Sequence, residues 1–224
     1  MTEEFNAAVL TVDQLKFTWK GPRMFYAYAI AVAADNTGHV YISEFPEAKK
    51  IKHRPILGDS DAWDFAFDGF SVYQKTGKLP STMCFHFLLV RDNGSKRKAG
   101  AFLKDLQNDP DFAATLAAVQ AAVPAAAPVG LIASALGPVL GLVGKVLERQ
   151  NDRVVDSVPG TIAFTPQLLK SGGRADLVRC EGFDLNFVLQ LFNTDEDADT
   201  AAFLTHASLA WQENGSLIAV PPAQ

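Results

Sequence analysis

Residues 113–144 read AATLAAVQAAVPAAAPVGLIASALGPVLGLVG, a run with no charged side chain and no histidine. Neither face of a helix built from it offers water a charge, so it must be covered by the protein's own core, a partner chain or a bilayer. A bilayer span takes about 20 predominantly apolar residues. Pro124, Pro128 and Pro138 interrupt this run, alanine and glycine are weakly apolar, and no Trp or Tyr belt flanks it. The run therefore reads as a helical hairpin. Asp109-Pro110-Asp111 supplies an N-cap with proline at the first helical position, Pro124 and Pro128 bracket the turn, and the polar end lies near Gln150. The expected hairpin, 109–150, covers one sheet face and offers Leu131, Leu136, Leu140 and Val143 to another copy of the chain. Gly137, Gly141 and Gly144 form a small-residue stripe that would let helices approach closely.

On either side of the run the period is two. Leu15–Trp19 alternates. Tyr26, Tyr28, Ile30 and Val32 alternate with Ala27, Ala29, Ala31 and Ala33, and Asp35-Asn36-Thr37-Gly38 then supplies turn chemistry. Trp63-Asp64-Phe65-Ala66-Phe67 puts aromatics on one side, and Met83–Val90 is apolar enough for a central strand. Beyond the hairpin, Thr161–Thr165, Ala175–Cys180 and Phe183–Phe192 read as further strands. The expected fold is mainly β: an antiparallel β-sandwich, 14–108 and 158–193, with an inserted αα-hairpin and a C-terminal helix or tail at 195–224.

The chain has 224 residues, 20 basic and 25 acidic, for a formal net charge of −5, which disfavours nucleic acid as the main partner. Cys84 and Cys180 both sit in strand-like segments, as free buried thiols or as one bridge across the sandwich. The first residues carry acidic side chains and no long apolar core, so a cytoplasmic location is expected, or export by a route that does not read an ordinary N-terminal signal peptide.

Leu89-Val90-Arg91-Asp92, a polar loop, then Gly100 and Leu103 follow one another in an order met elsewhere. Asp35-Asn36-Thr37-Gly38 comes before Val40-Tyr41-Ile42, then Lys49–Arg54 and Trp63–Phe67. In these segments residues 14–105 resemble the C-two domain, the calcium-dependent lipid-binding β-sandwich first named in protein kinase C. The resemblance implies that Gly100 and Leu103 belong to the strand after a calcium loop, and that Asp35 and Asp92 are calcium ligands. Only these two carboxylates carry over, with Gly94 at a further aspartate position, whereas calcium takes six to eight oxygens. No other cofactor is expected.

Two basic clusters stand out: Lys49, Lys50, Lys52 and Arg54, then Lys96, Arg97 and Lys98. They suit an anionic lipid surface or an acidic partner, or else protect an edge strand and a solvated loop. For catalysis, Cys84 and His86 are two apart on one strand and share a face, but a strand interior with Phe85 and Phe87 on the other face fits a packed core thiol better. The four histidines show no metal spacing, and no phosphate loop or nucleophile elbow occurs. The expected function is a non-catalytic interaction module that self-associates through the hairpin and docks to anionic lipid or an acidic partner. The competing expectation is a pore-forming or toxin-like protein that inserts the hairpin.

Overall fold

The computed structural model describes residues 5–17, 25–45, 49–51, 63–93, 100–124, 127–179, 183–193 and 217–220; of these, 13–17, 25–26, 49–51, 63–69, 183 and 217–220 are described by backbone only. In chain order the elements are β1 (Ala7–Phe17), β2 (Phe25–Asp35), β3 (Val40–Glu44), β4 (Lys49–Ile51), β5 (Trp63–Thr76), β6 (Thr82–Asp92), α1 (Ala101–Gln107), α2 (Phe112–Ala122) and α3 (Val129–Arg149). They continue with β7 (Arg153–Ala163), α4 (Pro166–Ser171), β8 (Gly173–Arg179), β9 (Phe183–Phe192) and β10 (Leu217–Val220). One four-stranded sheet runs β5-β1-β9-β8, and a six-stranded sheet runs β10-β3-β2-β6-β7 with β4 also paired to β2. Every pairing is antiparallel.

The fold is mainly β and stacks in three layers, because the larger sheet is apolar on both faces. In β2, Ala27, Ala29, Ala31 and Ala33 point toward the smaller sheet, while Tyr28, Ile30, Val32 and Ala34 point toward the helices. This is the alternation read from the sequence. The alanines leave room for rings on the next strand: Ala31 pairs with Phe87 and Ala33 with Phe85. Phe85 and Phe87 then meet Phe187 of the opposite sheet, with ring centroids 4.9 and 6.3 Å apart. Edge-on aromatic pairs of this kind add to the area they bury.

Phe85 also explains a glycine. On β7, Gly160 lies opposite Phe85, and a Cβ there would sit 2.1 Å from the ring. The ring covers the bare backbone of an edge strand. Gly160→Ala is expected to push Phe85 from its rotamer and to cost about 1–3 kcal/mol, the usual range for overpacking. Chemical denaturation of the variant checks this, and an unchanged midpoint would contradict the packing.

The second face of the larger sheet is covered by α1, α2 and α3, all inserted between β6 and β7. Alanine's helix propensity favours α2, and the chain leaves the helix before Pro124. At the far end of α3, Asn151 adopts φ 60° and Asp152 N returns to Leu147 O at 2.9 Å, which closes the helix and turns the chain into β7. Glu44, buried in β3, accepts hydrogen bonds from Phe102 N and Leu103 N at 3.1 and 3.2 Å and so anchors the start of α1.

Several expectations are corrected. The insertion carries three helices, and Gly100 and Leu103 are the N-cap and a buried side chain of α1, not parts of a strand. β1 begins at Ala7 and β7 at Arg153, both earlier than the patterns indicated. Residues 217–220 form β10 on the edge of β3 where a tail was expected. The acidic segment 195–199 lies outside the described residues, as does Cys180.

Candidate interaction surface

The helical layer has two unlike faces. Toward the sheet, α3 presents Ile132, Leu136, Val139, Val143 and Val146, and α2 presents Leu116 and Val119, all buried. Away from it lie Ala113, Ala114, Ala117, Ala118, Ala121 and Ala122 of α2. Alongside them on α3 are Gly130, Leu131, Ala133, Ser134, Gly137 and Gly141. Nothing approaches within 4 Å of where a Cβ would stand at Gly130, Gly137, Gly141 or Gly144. Val129 and Leu131 are 40% and 47% exposed. The surface is therefore uncharged, low in relief and built of methyl groups and bare backbone.

Charges stand at its border and hold the helices in place. Asp109 is buried between α1 and α2, where its carboxylate accepts from Asp111 N at 3.0 Å. It also pairs with Arg149 at 2.5 Å and Lys145 at 3.6 Å, and Lys145 reaches Asp111 at 2.7 Å. The amide of Asp111, then the nearby Lys145 and Arg149 charges, hold the Asp109 carboxyl below its ordinary value of 3.8. A depressed carboxylate stabilises the fold at pH above its unfolded value, and that contribution disappears as pH falls through the folded value. The wild type is thus expected to lose stability relative to Asp109→Asn on acidification below about pH 4. Equal slopes in acid titrations followed by circular dichroism would contradict this role.

The four residues expected to meet another copy divide. Leu131 is on the outer face and Leu140 is half-buried against the core, whereas Leu136 and Val143 are buried against the sheet. The last two are core residues of this chain. The physical reason is helical geometry: Leu131 and Leu136 are five residues apart, about 140° around the axis.

The two candidate calcium ligands are not brought together. Asp35 pairs with Met83 and Asp92 with Tyr26, at opposite ends of the β2–β6 ladder, roughly 30 Å apart from the rise of a strand. Asp35 is instead the centre of a buried network. Its Oδ1 accepts from Thr37 N at 2.7 Å, Thr37 Oγ1 at 2.5 Å and His39 N at 3.2 Å, forming the tight β2–β3 turn. Its Oδ2 accepts from the Tyr73 hydroxyl at 2.6 Å and lies 3.6 Å from Lys75 Nζ, which ties the turn to the other sheet. Burial, then the Asp35 charge, pushes the Tyr73 hydroxyl well above its ordinary value. Among the described residues no group of three or more metal-ligating side chains converges.

Lys49 and Lys50 pair with Ala27 and Tyr26 on one side of β2, and Arg91 and Asp92 pair with the same two residues on the other. Arg91 is in turn opposite Arg153 of β7. The backbone thus gathers Lys49, Lys50, Arg91 and Arg153 at one end of the larger sheet. Lys52, Arg54, Lys96, Arg97 and Lys98 lie outside the described residues, and the Trp63–Phe67 segment lies in β5 where only backbone is described.

Cys84 and His86 do share the helix-facing side of β6. The Cys84 thiol donates to Val129 O at 3.7 Å and lies 3.7 Å from Thr161 Oγ1, and burial raises it above its ordinary value. Burial also lowers His86. A thiol kept protonated and an imidazole kept neutral do not make an activated nucleophile.

The low relief of the outer helical face was legible in Gly130, Ala133, Gly137 and Gly141, whose spacing puts small residues where a solvated helix carries charges. Compared with known proteins, the chain matches no family model, no curated protein and no solved structure.

Proposed function

We propose that this chain is a non-catalytic assembly module that associates with further copies of itself through the outer face of α2 and α3. The observation that carries the reading is an exposed surface of alanine, glycine and leucine without a charge across two adjacent helices. Monomeric soluble proteins seldom expose a contiguous apolar patch beyond a few hundred Å². Small side chains permit the close backbone approach that makes van der Waals contact efficient. Leu131, at 47% exposure, would be the largest knob on an otherwise smooth surface.

Engineered cross-linking tests the contact. With Cys84 and Cys180 replaced by serine, Gly141→Cys on the outer face is expected to oxidise to a disulfide-linked dimer. Ala175→Cys, on the far sheet, serves as the control. Cross-linking at Ala175 equal to that at Gly141 would overturn the assignment of the surface.

A second reading is favoured by one further observation. α3 has a mean hydropathy of 1.8 over an 18-residue window, only 39% of which is buried. It is long and apolar enough to cross a bilayer, and the basic end of the larger sheet suits anionic headgroups. Detaching α3 would strip the cover from the sheet, so this reading requires a large rearrangement. Flotation with anionic vesicles separates the two: a chain that floats and is monomeric in water supports insertion and removes self-association.

A further inference from the structure

We infer that the first half of α3 is an acid-sensitive flap: protonation of His86 lifts residues 129–137 from the larger sheet, with Pro138 as the pivot. α3 runs lengthwise over β6. At one end the Cys84 thiol donates to Val129 O at 3.7 Å, and at the other Asn93 Nδ2 donates to Asn151 O at 2.6 Å. His86 is two residues from Cys84 on the same side of the strand, and so lies beneath the first turns of the helix. Its imidazole is partly exposed, but Nδ1 is closed off from water and has no hydrogen-bond partner.

Among the described residues no carboxylate faces that nitrogen. Val32 of β2 and Pro159 of β7 stand beside His86 in the ladders. On the same face of β6 its neighbours are Cys84 and Leu88, and on β7 the uncharged Ser157 and Thr161 flank Pro159. Above it, α3 has no ionisable side chain from Val129 to Gly144, and α2 has none from Phe112 to Ala122. Tyr28, opposite Val90, and Asp92 come next on this face, roughly 13 and 20 Å along the strand. A neutral imidazole keeps its proton on Nε2 and leaves Nδ1 bare, whereas imidazolium must carry an N–H at both. A charged, buried donor without an acceptor opposes the closed packing. Burial accordingly holds His86 below its ordinary value of 6.5. The closed packing is fully favoured above pH 6.5 and is weakened as pH falls through the folded value.

The helix is unevenly tied down. Lys145 and Arg149 hold its second half to Asp109. Just beyond it, Asp152 accepts from the Tyr28 hydroxyl at 2.9 Å and from Asn93 N at 3.2 Å. Among the described residues, the first half has only the 3.7 Å thiol contact as a polar tie to the sheet. Pro138 separates the halves, since it has no N–H to offer Ser134 O. Lifting the first half would uncover Ile132, Leu136 and Cys84, which the closed chain buries.

Amide hydrogen exchange of the full chain, read by NMR at pH 7.5 and 5.0 and corrected for intrinsic rates, tests the flap. Opening of residues 133–137 is expected to rise about tenfold at the lower pH, while residues 142–147 and the amides of β1 and β9 change little. His86→Gln, uncharged at both pH values, is expected to show no rise. Asp109 titrates below this window. A rise equal in His86→Gln, no rise in the wild type, or a rise shared by β1 and β9 would each overturn the flap. Titration of the wild-type His86 ring protons needs no variant: a midpoint below 6.5 is expected, and one at or above 6.5 would overturn the mechanism. Self-association does not enter the comparison, because wild type and His86→Gln share the same outer face.

Discussion

Val143→Asp is expected to leave the chain without a cooperative unfolding transition, while Leu131→Asp on the same helix leaves the fold intact. Val143 is almost fully buried between α3 and the larger sheet, among Ile132, Leu136, Val139 and Val146. A carboxylate there has no partner, and an ionised group in an apolar site costs several kcal/mol even after relaxation. Loss of the apolar side chain adds a packing penalty. Together these rival the whole stability of a domain, about 5–15 kcal/mol. Leu131 is 47% exposed on the opposite side, where substitutions shift the stability of the single chain by about 0.5 kcal/mol or less. Differential scanning calorimetry reads both. A normal transition for Val143→Asp would mean that α3 is rotated about its axis.

The second large effect is expected at Asp35. Asp35→Ala removes the acceptor of the turn amides and the hydroxyl of Thr37, and it leaves Tyr73 Oη and Lys75 Nζ facing a buried apolar methyl. Breaking a buried charged pair from one side typically costs about 3–5 kcal/mol. Tyr73→Phe removes one hydrogen bond and leaves Asp35 with its turn partners, so its cost should stay near 1 kcal/mol, the usual value of a single bond. Urea unfolding of both variants gives the comparison. Equal losses would show that the carboxylate serves Tyr73 alone and not the turn.

Much of the β structure was written in local pattern. Ala27–Ala33 against Tyr28–Val32 fixed both faces of β2, and the unbroken apolar run Met83–Val90 marked β6 as a strand covered on both sides. Pro124 and Pro128 marked the break between α2 and α3. α4 carried a legible signal in Thr165-Pro166: Thr165 caps the helix, its Oγ1 accepting from Leu168 N at 3.2 Å, and Pro166 stands in the first turn. A helix of six residues is short enough to pass for a turn. α1 was hidden for another reason, since its start is held by Glu44, a residue far away in the chain.

The surfaces were harder to read because polarity does not distinguish the two faces of α3. Side-chain size does. Ile132, Leu136, Val139 and Val143 fall on the covered stripe, while Gly130, Ala133, Gly137 and Gly141 fall on the open one. Leu131 and Leu136 were grouped by chemistry although the helical period separates them. Asp35 misled in the same way: an aspartate in a polar turn suits a metal ligand, and only the packing of β5 in the smaller sheet against β2 in the larger one brings Tyr73 and Lys75 to it.

Sedimentation equilibrium tests the central claim most directly, with the wild type compared with the paired outer-face variant Leu131→Asp and Gly137→Lys. The wild type is expected to run as a dimer or larger whose mass falls on dilution, and the variant as a folded monomer. A wild type that is monomeric at every concentration, or a variant of unchanged mass, would contradict assembly through the outer face of α2 and α3.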